Sequence, residues 1–157
     1  MSPEFLVGVV SDTHGLLRPQ VVEALAGSQL VIHAGDVGSP EILPSLSRLA
    51  RVEAVRGNVD TAAWAQSLPE TAVVEVQRYS LYILHDLKQL DLDPRAAGFA
   101  AVISGHSHVP ASEMRNGVLY FNPGSAGPRR FRLPVSVGKL WVSPSGIRSE
   151  IMPLNLE

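Results

Sequence analysis

Two histidines in the segment Ser-Gly-His-Ser-His (104–108) are the first residues whose type and spacing indicate chemistry. His106 and His108 directly follow the apolar run 100–103, which is typical of a buried strand. In an extended segment, residues i and i+2 point to the same side, so both imidazoles are expected to face one place. Gly105 allows the backbone to turn or approach closely there. Paired imidazoles at a strand end indicate a metal site, provided that carboxylates arrive from elsewhere.

The elements that must supply those carboxylates begin with a βαβαβ pattern. Short apolar runs predict buried strands, and apolar residues at helical spacing predict helices between them. Such alternation is typical of parallel strands covered by helices. The predicted strands are Phe5–Val10, 30–34 and 52–55, and the predicted helices are 19–26 and 40–49.

The second half of the chain has mostly strand signals. Asn116-Gly117 is the strongest short hairpin turn signal, and Gln77-Arg78 marks another turn. We expect a mixed αβ protein in which two sheets pack face to face, with helices outside. The predicted strands are Thr71–Val76, Tyr79–Leu84, 100–104, 110–115, Val118–Asn122, 134–142 and 147–152, with a helix at 90–97.

Polar donors recur where these strands end. In open α/β sheets, ligands bind beyond the carboxyl ends of the strands. A lone histidine such as His85 is more often a buried or surface side chain than a ligand. A whole set of nitrogen and oxygen donors in the same structural position favours a metal centre. The strand-end residues are Asp12, His14, Asp36, Asn58, Asp60, His85, His106 and His108.

Composition limits the class of protein. The 157 residues predict one domain spanning 1–157, with 45% hydrophobic residues and no cysteine. Any metal must therefore be held by nitrogen and oxygen atoms. The net charge of −2 argues against nucleic acid as a partner, and no apolar run is long enough to cross a membrane. The start of the chain lacks the pattern of a secretory signal, so we expect a cytoplasmic protein without membrane contact.

The ordered set of strand-end residues resembles the calcineurin-like metallophosphoesterases. It looks closest to their small single-domain bacterial and archaeal phosphodiesterase branch, which also carries an Asn-Pro-Gly-Ser segment, here 122–125. The resemblance implies the α/β class and a four-layer α/β/β/α sandwich of two mixed β-sheets flanked by helices. The matching motifs are Asp12-x-His14, Gly35-Asp36, Gly57-Asn58-x-Asp60, His85 and Gly105-His106-x-His108.

The resemblance also implies a binuclear centre, in which two divalent ions are bridged by Asp36. Mixed imidazole and carboxylate donors suit Mn²⁺, Fe²⁺, Zn²⁺ or Ni²⁺ better than Mg²⁺ or Ca²⁺, and we favour Mn²⁺. The first ion would be held by Asp12, His14, Asp36 and His108. The second would be held by Asp36, Asn58, His85 and His106.

By the same resemblance, a hydroxide bridging the metals would hydrolyse a small-molecule phosphate ester, most readily a diester. Asp36, Asn58 and His85 are the expected catalytic residues, and Asn58, Arg56 and Asp86 the expected substrate-binding residues. Two alternatives stay open. One is a non-catalytic scaffold similar to the retromer subunit of this superfamily, and the other is a nuclease. Hairpin edges and Trp64 suggest a homo-oligomer, either a dimer or a tetramer.

Two departures from the family pattern concern the proton donor. Val59 stands where many of these phosphatases have a histidine, and the segment His85-Asp86-Leu87 lacks the second histidine that the branch usually has. Asp86 is either an acid at the site or a plain turn residue. His33 is expected in the core or behind the ligands, and Asp60 either orients a ligand or stabilises its loop.

Overall fold

A computed structural model describes residues 4–156, and its strands form two five-stranded sheets that pack face to face. The strand order of the first sheet is β10 (Gly146–Pro153), β9 (Ser136–Ser143), β1 (Phe5–Val10), β2 (Leu30–His33) and β3 (Arg51–Ala54). Strands β1, β2 and β3 are parallel, and β9 and β10 extend the sheet beside β1 with antiparallel pairing.

The strand order of the second sheet is β4 (Thr71–Val76), β5 (Tyr79–Leu84), β6 (Phe99–Ile103), β8 (Val118–Asn122) and β7 (Ala111–Arg115). Its three parallel strands, β5, β6 and β8, lie between two antiparallel edge strands. Both sheets are therefore mixed, as expected, and the observed strands match the predicted ones to within two residues at each end.

Alternation along β1 explains how the layers hold together. Val7 and Val9 point into the core between the two sheets, whereas Val10 packs under the helices on the other face. Those helices are α1 (Pro19–Leu25) and α2 (Ile42–Ser47). Helix α2 is shorter than the predicted 40–49, and its Pro44 lies in the first turn, where a missing N–H breaks no helical hydrogen bond.

The predicted helix at 90–97 is wrong. Residues 94–97 form turns, and only a 3₁₀ helix, Leu87–Gln89, precedes them on the outer face of the second sheet. Pro94 disfavours helical backbone at the residue before it, and the Asp93 side chain accepts the N–H groups of Arg95 and Ala96 in a local turn. The sandwich thus has a helical layer over its first sheet and a thin, mostly irregular layer over its second.

Within residues 4–156, no helix is both long enough and apolar enough to span a membrane.

Candidate metal centre

The candidate ligands lie just past the carboxyl ends of strands from both sheets. Asp12 and His14 follow β1, Asp36 follows β2, His85 follows β5, and His106 and His108 follow β6. The structure gathers these six side chains into two groups, within each of which one donor atom per residue lies within 4.8 Å of the others. The groups are Asp12, His14 and His108, and Asp36, His85 and His106.

The two histidines of the 104–108 segment belong to different groups. Their spacing alone had predicted that both would face one place. The segment is not extended, because His106 has φ 68° and His108 has φ 65°. In this left-handed conformation the i and i+2 side chains need not share a side. His108 instead lies with its ring 5.4 Å from that of His14, and His106 lies 5.2 Å from His85.

Left-handed backbone is common to most of the candidate ligands. Among residues 4–156, eight non-glycine residues have positive φ, and five of them are candidate ligands. Such conformations cost roughly 1–3 kcal/mol each and tend to persist where surrounding structure enforces them at functional sites. The five are Asp12, His14, Asp36, His106 and His108.

Several buried nitrogen and oxygen atoms of this cluster have no hydrogen-bond partner. Buried polar atoms are normally satisfied, because an orphaned one costs about 1–3 kcal/mol. In the described part of the chain, four such orphaned atoms belong to candidate ligands, and these donors therefore fit divalent ions. They are Asp12 Oδ1, His14 Nε2, His85 Nε2 and His108 Nδ1.

His85 and Asp36 show the same need for a cation. The ring atom Nδ1 of His85 lies 2.7 Å from the carbonyl oxygen of Ala34 and must donate to it, so a neutral His85 presents an Nε2 lone pair. That atom is only 3.1 Å from Oδ2 of Asp36, which is also an acceptor. Two facing acceptors require a proton or a metal ion between or beside them.

The pKa values of the candidate ligands reflect both their burial and their contacts with one another. Burial acts to lower the pKa of His85, but its contact with Asp36 and the charge of Asp12 raise it. Burial acts to raise the pKa of Asp36, but the contact with His85 and the Val59 N–H hold it well below its usual range. Burial lowers the pKa of His108, although Asp12 opposes this. The Asp36 carboxylate is therefore ionised and available as a ligand.

Each central carboxylate is fixed by one oxygen and directs the other at the histidines. Oδ2 of Asp12 accepts the Ser11 hydroxyl at 2.6 Å and the His106 N–H at 3.1 Å. Oδ1 of Asp12 lies 3.3–3.8 Å from Nε2 of three histidines, and Oδ2 of Asp36 lies 3.1 and 3.6 Å from two. The three histidines around Asp12 are His14, His85 and His108.

Two glycines let the ligand loops come this close. A Cβ at Gly105 would collide with the Ser11 hydroxyl and lie 2.6 Å from Oδ2 of Asp12. A Cβ at Gly57 would collide with the backbone and side chain of Asp36. The sequence prediction of a close backbone approach at Gly105 is therefore confirmed.

His33 lies behind the candidate ligands and connects two of the loops that carry them. It is fully buried; its Nδ1 accepts the Gly35 N–H at 3.1 Å, and its Nε2 lies 3.0 Å from the Thr13 hydroxyl. Because that hydroxyl donates to the carbonyl of Val37, Nε2 of His33 carries the proton. Burial lowers the pKa of His33 to about 4, so the ring is neutral. The prediction that His33 lies behind the ligands is confirmed.

Asp60 joins the loop of Asp36 to that of Asn58. Its buried carboxylate accepts the backbone N–H groups of Val37 at 3.1 Å, Gly38 at 3.0 Å and Gly57 at 2.9 Å. Of the two roles considered for Asp60, the structure favours loop stabilisation. The stabilised loops are nevertheless those that carry two candidate ligands.

Asn122 is a positioning residue that the sequence analysis noted only as part of a motif. Its side-chain amide donates to the carbonyl of Gly105 at 3.0 Å, and its Oδ1 accepts the Gly124 N–H at 2.9 Å. In the same motif, the Ser125 hydroxyl donates to the backbone carbonyl of Asp12 at 3.2 Å. Asn122 ends β8, so the strand-end criterion applied to every strand would have found it.

The expected substrate-binding residues line a cleft of about 400 Å³ beside His85, called the polar cleft below. Arg56 is not free in it, because its guanidinium donates to Glu70 at 3.1 Å. Asp86 is a turn residue, because its Oδ1 accepts the Lys88 N–H at 3.0 Å, and its Oδ2 lies 3.8 Å from Nε2 of His106. The polar cleft is lined by Arg56, Asn58, Glu70, His85, Asp86 and Asp91.

Comparison with known proteins agrees with this geometry. Residues 5–143 match the model of the calcineurin-like phosphoesterase superfamily domain. A protein of Methanocaldococcus jannaschii named as a probable metallophosphoesterase is 34% identical, covering 95% of this chain and 81% of its own. Phosphodiesterase YfcE of Escherichia coli is 31% identical, covering 83% of this chain and 84% of its own. The solved structure of Vps29 from Entamoeba histolytica complexed with Zn²⁺ is 25% identical with a TM-score of 0.72, covering 93% of this chain and 97% of its own. The chain therefore belongs to the calcineurin-like phosphoesterase superfamily.

Proposed function

We propose that this protein is a phosphodiesterase that acts on a small-molecule phosphate ester with two divalent ions, Mn²⁺ being favoured. The observation that carries the proposal is the pair of mixed carboxylate and imidazole groups, in which four buried side-chain atoms have no hydrogen-bond partner. Mixed donors of this kind suit Mn²⁺ and its first-row neighbours. The names of the relatives support the reaction class.

Each ion would be held by one of the two groups, with Asp36 shared and Asn58 added to the second. Asp36 supports the shared role because its Oδ2 is close to a histidine of each group, His14 and His85. Divalent ions bound there would supply Lewis acidity, which neutralises phosphoryl charge and makes bound water more acidic. Asn58, as a neutral ligand, leaves that positive charge undiminished.

The surroundings of the site favour a diester over a monoester. A diester carries one negative charge near neutral pH, whereas a monoester carries nearly two. The polar cleft contributes three carboxylates, and its arginine, Arg56, is already paired with Glu70. Such a cleft repels additional negative charge, so a neutral ester substituent suits it better than a second phosphate oxygen anion.

Asp86 is the residue that we propose to pass a proton from solvent water to the leaving oxygen. Its Oδ2 lies 3.8 Å from Nε2 of His106, at the boundary of the polar cleft. Val59, half exposed beside Asn58, offers no proton. Asp86→Asn should therefore slow esters with poor leaving groups more than esters with good ones.

The proposal is tested by hydrolysis of bis-p-nitrophenyl phosphate and of p-nitrophenyl phosphate by Mn²⁺-reconstituted protein. We expect the diester to be the better substrate, and His85→Ala to abolish its hydrolysis. Asp93→Asn, an exposed turn residue outside the two groups, is the matched control and should retain full activity. Normal binding of two metals without any hydrolysis of the diester would contradict the proposal.

The scaffold alternative is supported by the likeness to Vps29, and a nuclease stays untested. The presence of candidate donors in both groups favours the enzyme over the scaffold. A partner interaction that survives His85→Ala, combined with no hydrolytic activity in the unmodified protein, would favour the scaffold. Cleavage of single-stranded DNA that weakens with rising salt would favour the nuclease.

A further inference from the structure

A second cavity shares His106 with the candidate metal centre and Asp86 with the polar cleft. It has a volume of about 610 Å³ and is called the apolar groove below. Its length follows β7, which starts at Ala111 beside the site and reaches Arg115, roughly 13 Å further along the strand. The apolar groove is lined mainly by Leu87, Val109, Ala111 and Tyr120, together with the shared residues His106 and Asp86.

The thin outer layer of the second sheet explains why the groove is open. Leu87, Leu90 and Leu92 pack over the middle strands of this sheet, close to Tyr82 and Val102. They leave the outer face of β7 uncovered, and all five residues of that strand are exposed. A helix at 90–97, had it formed, would have thickened this layer.

The groove is continuous with the site through His106. The side chain of His106 is 44% exposed, whereas those of its group partners Asp36 and His85 are nearly buried. Exposed apolar side chains also concentrate around the ligands. Of the six large hydrophobic residues that are exposed among the described residues, three lie within two positions of a candidate ligand: Leu16, Val59 and Val109.

The charges in the groove are balanced, so it does not attract an additional anion. Arg115 donates to Glu113 at 3.0 Å, and its guanidinium lies 4.8 Å from the centre of the Tyr120 ring. The remaining pair is Lys88 and Asp86, one of each sign. An aromatic wall, aliphatic neighbours and no net charge are the properties that bind a flat uncharged ring.

We propose that the apolar groove binds an uncharged aromatic group esterified to the phosphate, and thereby selects aryl-type diesters. This inference rests on the proposed phosphodiesterase function and specifies its substrate class. The phosphoryl group lies at the metal centre, the aromatic substituent enters the groove past His106, and the polar cleft takes the other substituent.

The test measures binding of two phosphonates that cannot be hydrolysed as esters. Phenylphosphonate and methylphosphonate are titrated calorimetrically into Mn²⁺-loaded protein. We expect phenylphosphonate to bind at least about tenfold more tightly, since burial of roughly 60 Å² of ring surface suffices for that factor. Ala111→Trp, which fills the groove, should abolish this preference and leave the affinity for methylphosphonate unchanged.

The matched control is Met114→Trp, on the same strand. Met114 is 63% exposed and lies on the face of β7 that also carries Ser112, whose hydroxyl is 2.8 Å from that of Ser149 on β10. This variant should keep the phenyl preference. Retained methylphosphonate binding in both variants shows that each is folded and metal-loaded.

Three results would overturn the inference, and they are distinguishable. Equal affinity for both phosphonates in the unmodified protein would exclude an aromatic subsite while leaving the phosphodiesterase proposal intact. A phenyl preference that survives Ala111→Trp would place the ring outside the groove. Failure of both phosphonates to bind, together with no diester hydrolysis, would remove the proposed function and the inference with it.

Discussion

Replacing Asp60 by alanine should weaken both the fold and metal binding, because one buried carboxylate holds two ligand loops. It accepts three backbone N–H groups, from Val37, Gly38 and Gly57, at 2.9–3.1 Å. A hydrogen bond to a charged group contributes about 1.5–3 kcal/mol when buried. Two of the three donors are only partly buried and can turn to water, so we expect a total loss of about 3 kcal/mol.

The effect on metal binding follows from the position of these loops. Asp36 directly precedes Val37, and Asn58 directly follows Gly57. Loss of a residue that orients ligands typically costs roughly 10–100-fold in metal affinity, and we expect Asp60→Ala to fall in that range. Urea unfolding of the metal-free protein gives the first quantity, and calorimetric titration with Mn²⁺ gives the second.

The matched control is Asp93→Ala. Asp93 also accepts backbone N–H groups, at 3.1 and 3.4 Å, but on an exposed turn that belongs to neither ligand group. It should cost less than about 1 kcal/mol and leave metal affinity unchanged. An unfolding free energy of Asp60→Ala within about 0.5 kcal/mol of wild type would refute the reasoning. A destabilised variant with unchanged metal affinity would show that the carboxylate does not position the ligands.

Three further predictions concern other residues of the centre. Gly105→Ala should cost about 2 kcal/mol and weaken metal binding, because its Cβ would displace Ser11 and Asp12; an unchanged urea midpoint would contradict this. His33 has a pKa of about 4 in the folded protein, below its ordinary 6.5, so the unfolded chain binds more protons between these values. The contribution of His33 to the free energy of unfolding is therefore complete above pH 6.5 and is lost as the pH falls towards 4. The loss should be about 2 kcal/mol between pH 6.5 and 5. Unfolding measured as a function of pH should show a smaller loss in His33→Gln. His106→Ala should leave metal-free stability within about 0.5 kcal/mol of wild type, since the side chain is 44% exposed, but reduce the bound Mn²⁺ from two ions to one; two ions retained would contradict its role.

The sequence predicted the strands well, and it placed the candidate ligands at the ends of strands, because both features depend on local patterns. Phe5–Val10 is apolar throughout because β1 is covered on both faces. Polar residues follow it because the chain leaves the covered part of the sheet at the carboxyl end of the strand. The helix at 90–97 was wrong because its apolar spacing was outweighed by Pro94 and by the side-chain turn at Asp93.

The geometry of the site was less accessible from the sequence. His106 and His108 were assigned extended backbone, whereas their left-handed conformation depends on contacts with distant loops, such as that of Asp12 with the His106 N–H. Tertiary contacts also decided the role of Asp60, whose partners lie more than 20 residues away in two cases. A single sequence does not encode such contacts in any local pattern.

The pairing of β1 with β9 has a consequence for the order in which the protein can fold during synthesis. All the candidate ligands lie from Asp12 to His108, yet β1, the strand that precedes Asp12, pairs on one side with residues 138–142. A nascent chain that ends at Asn122 contains every ligand but leaves one edge of β1 without its partner. Pairing the first strand with nearly the last is a contact of high sequence separation, which slows folding. The metal centre is thus expected to form late, after the ribosome has released the C-terminal hairpin.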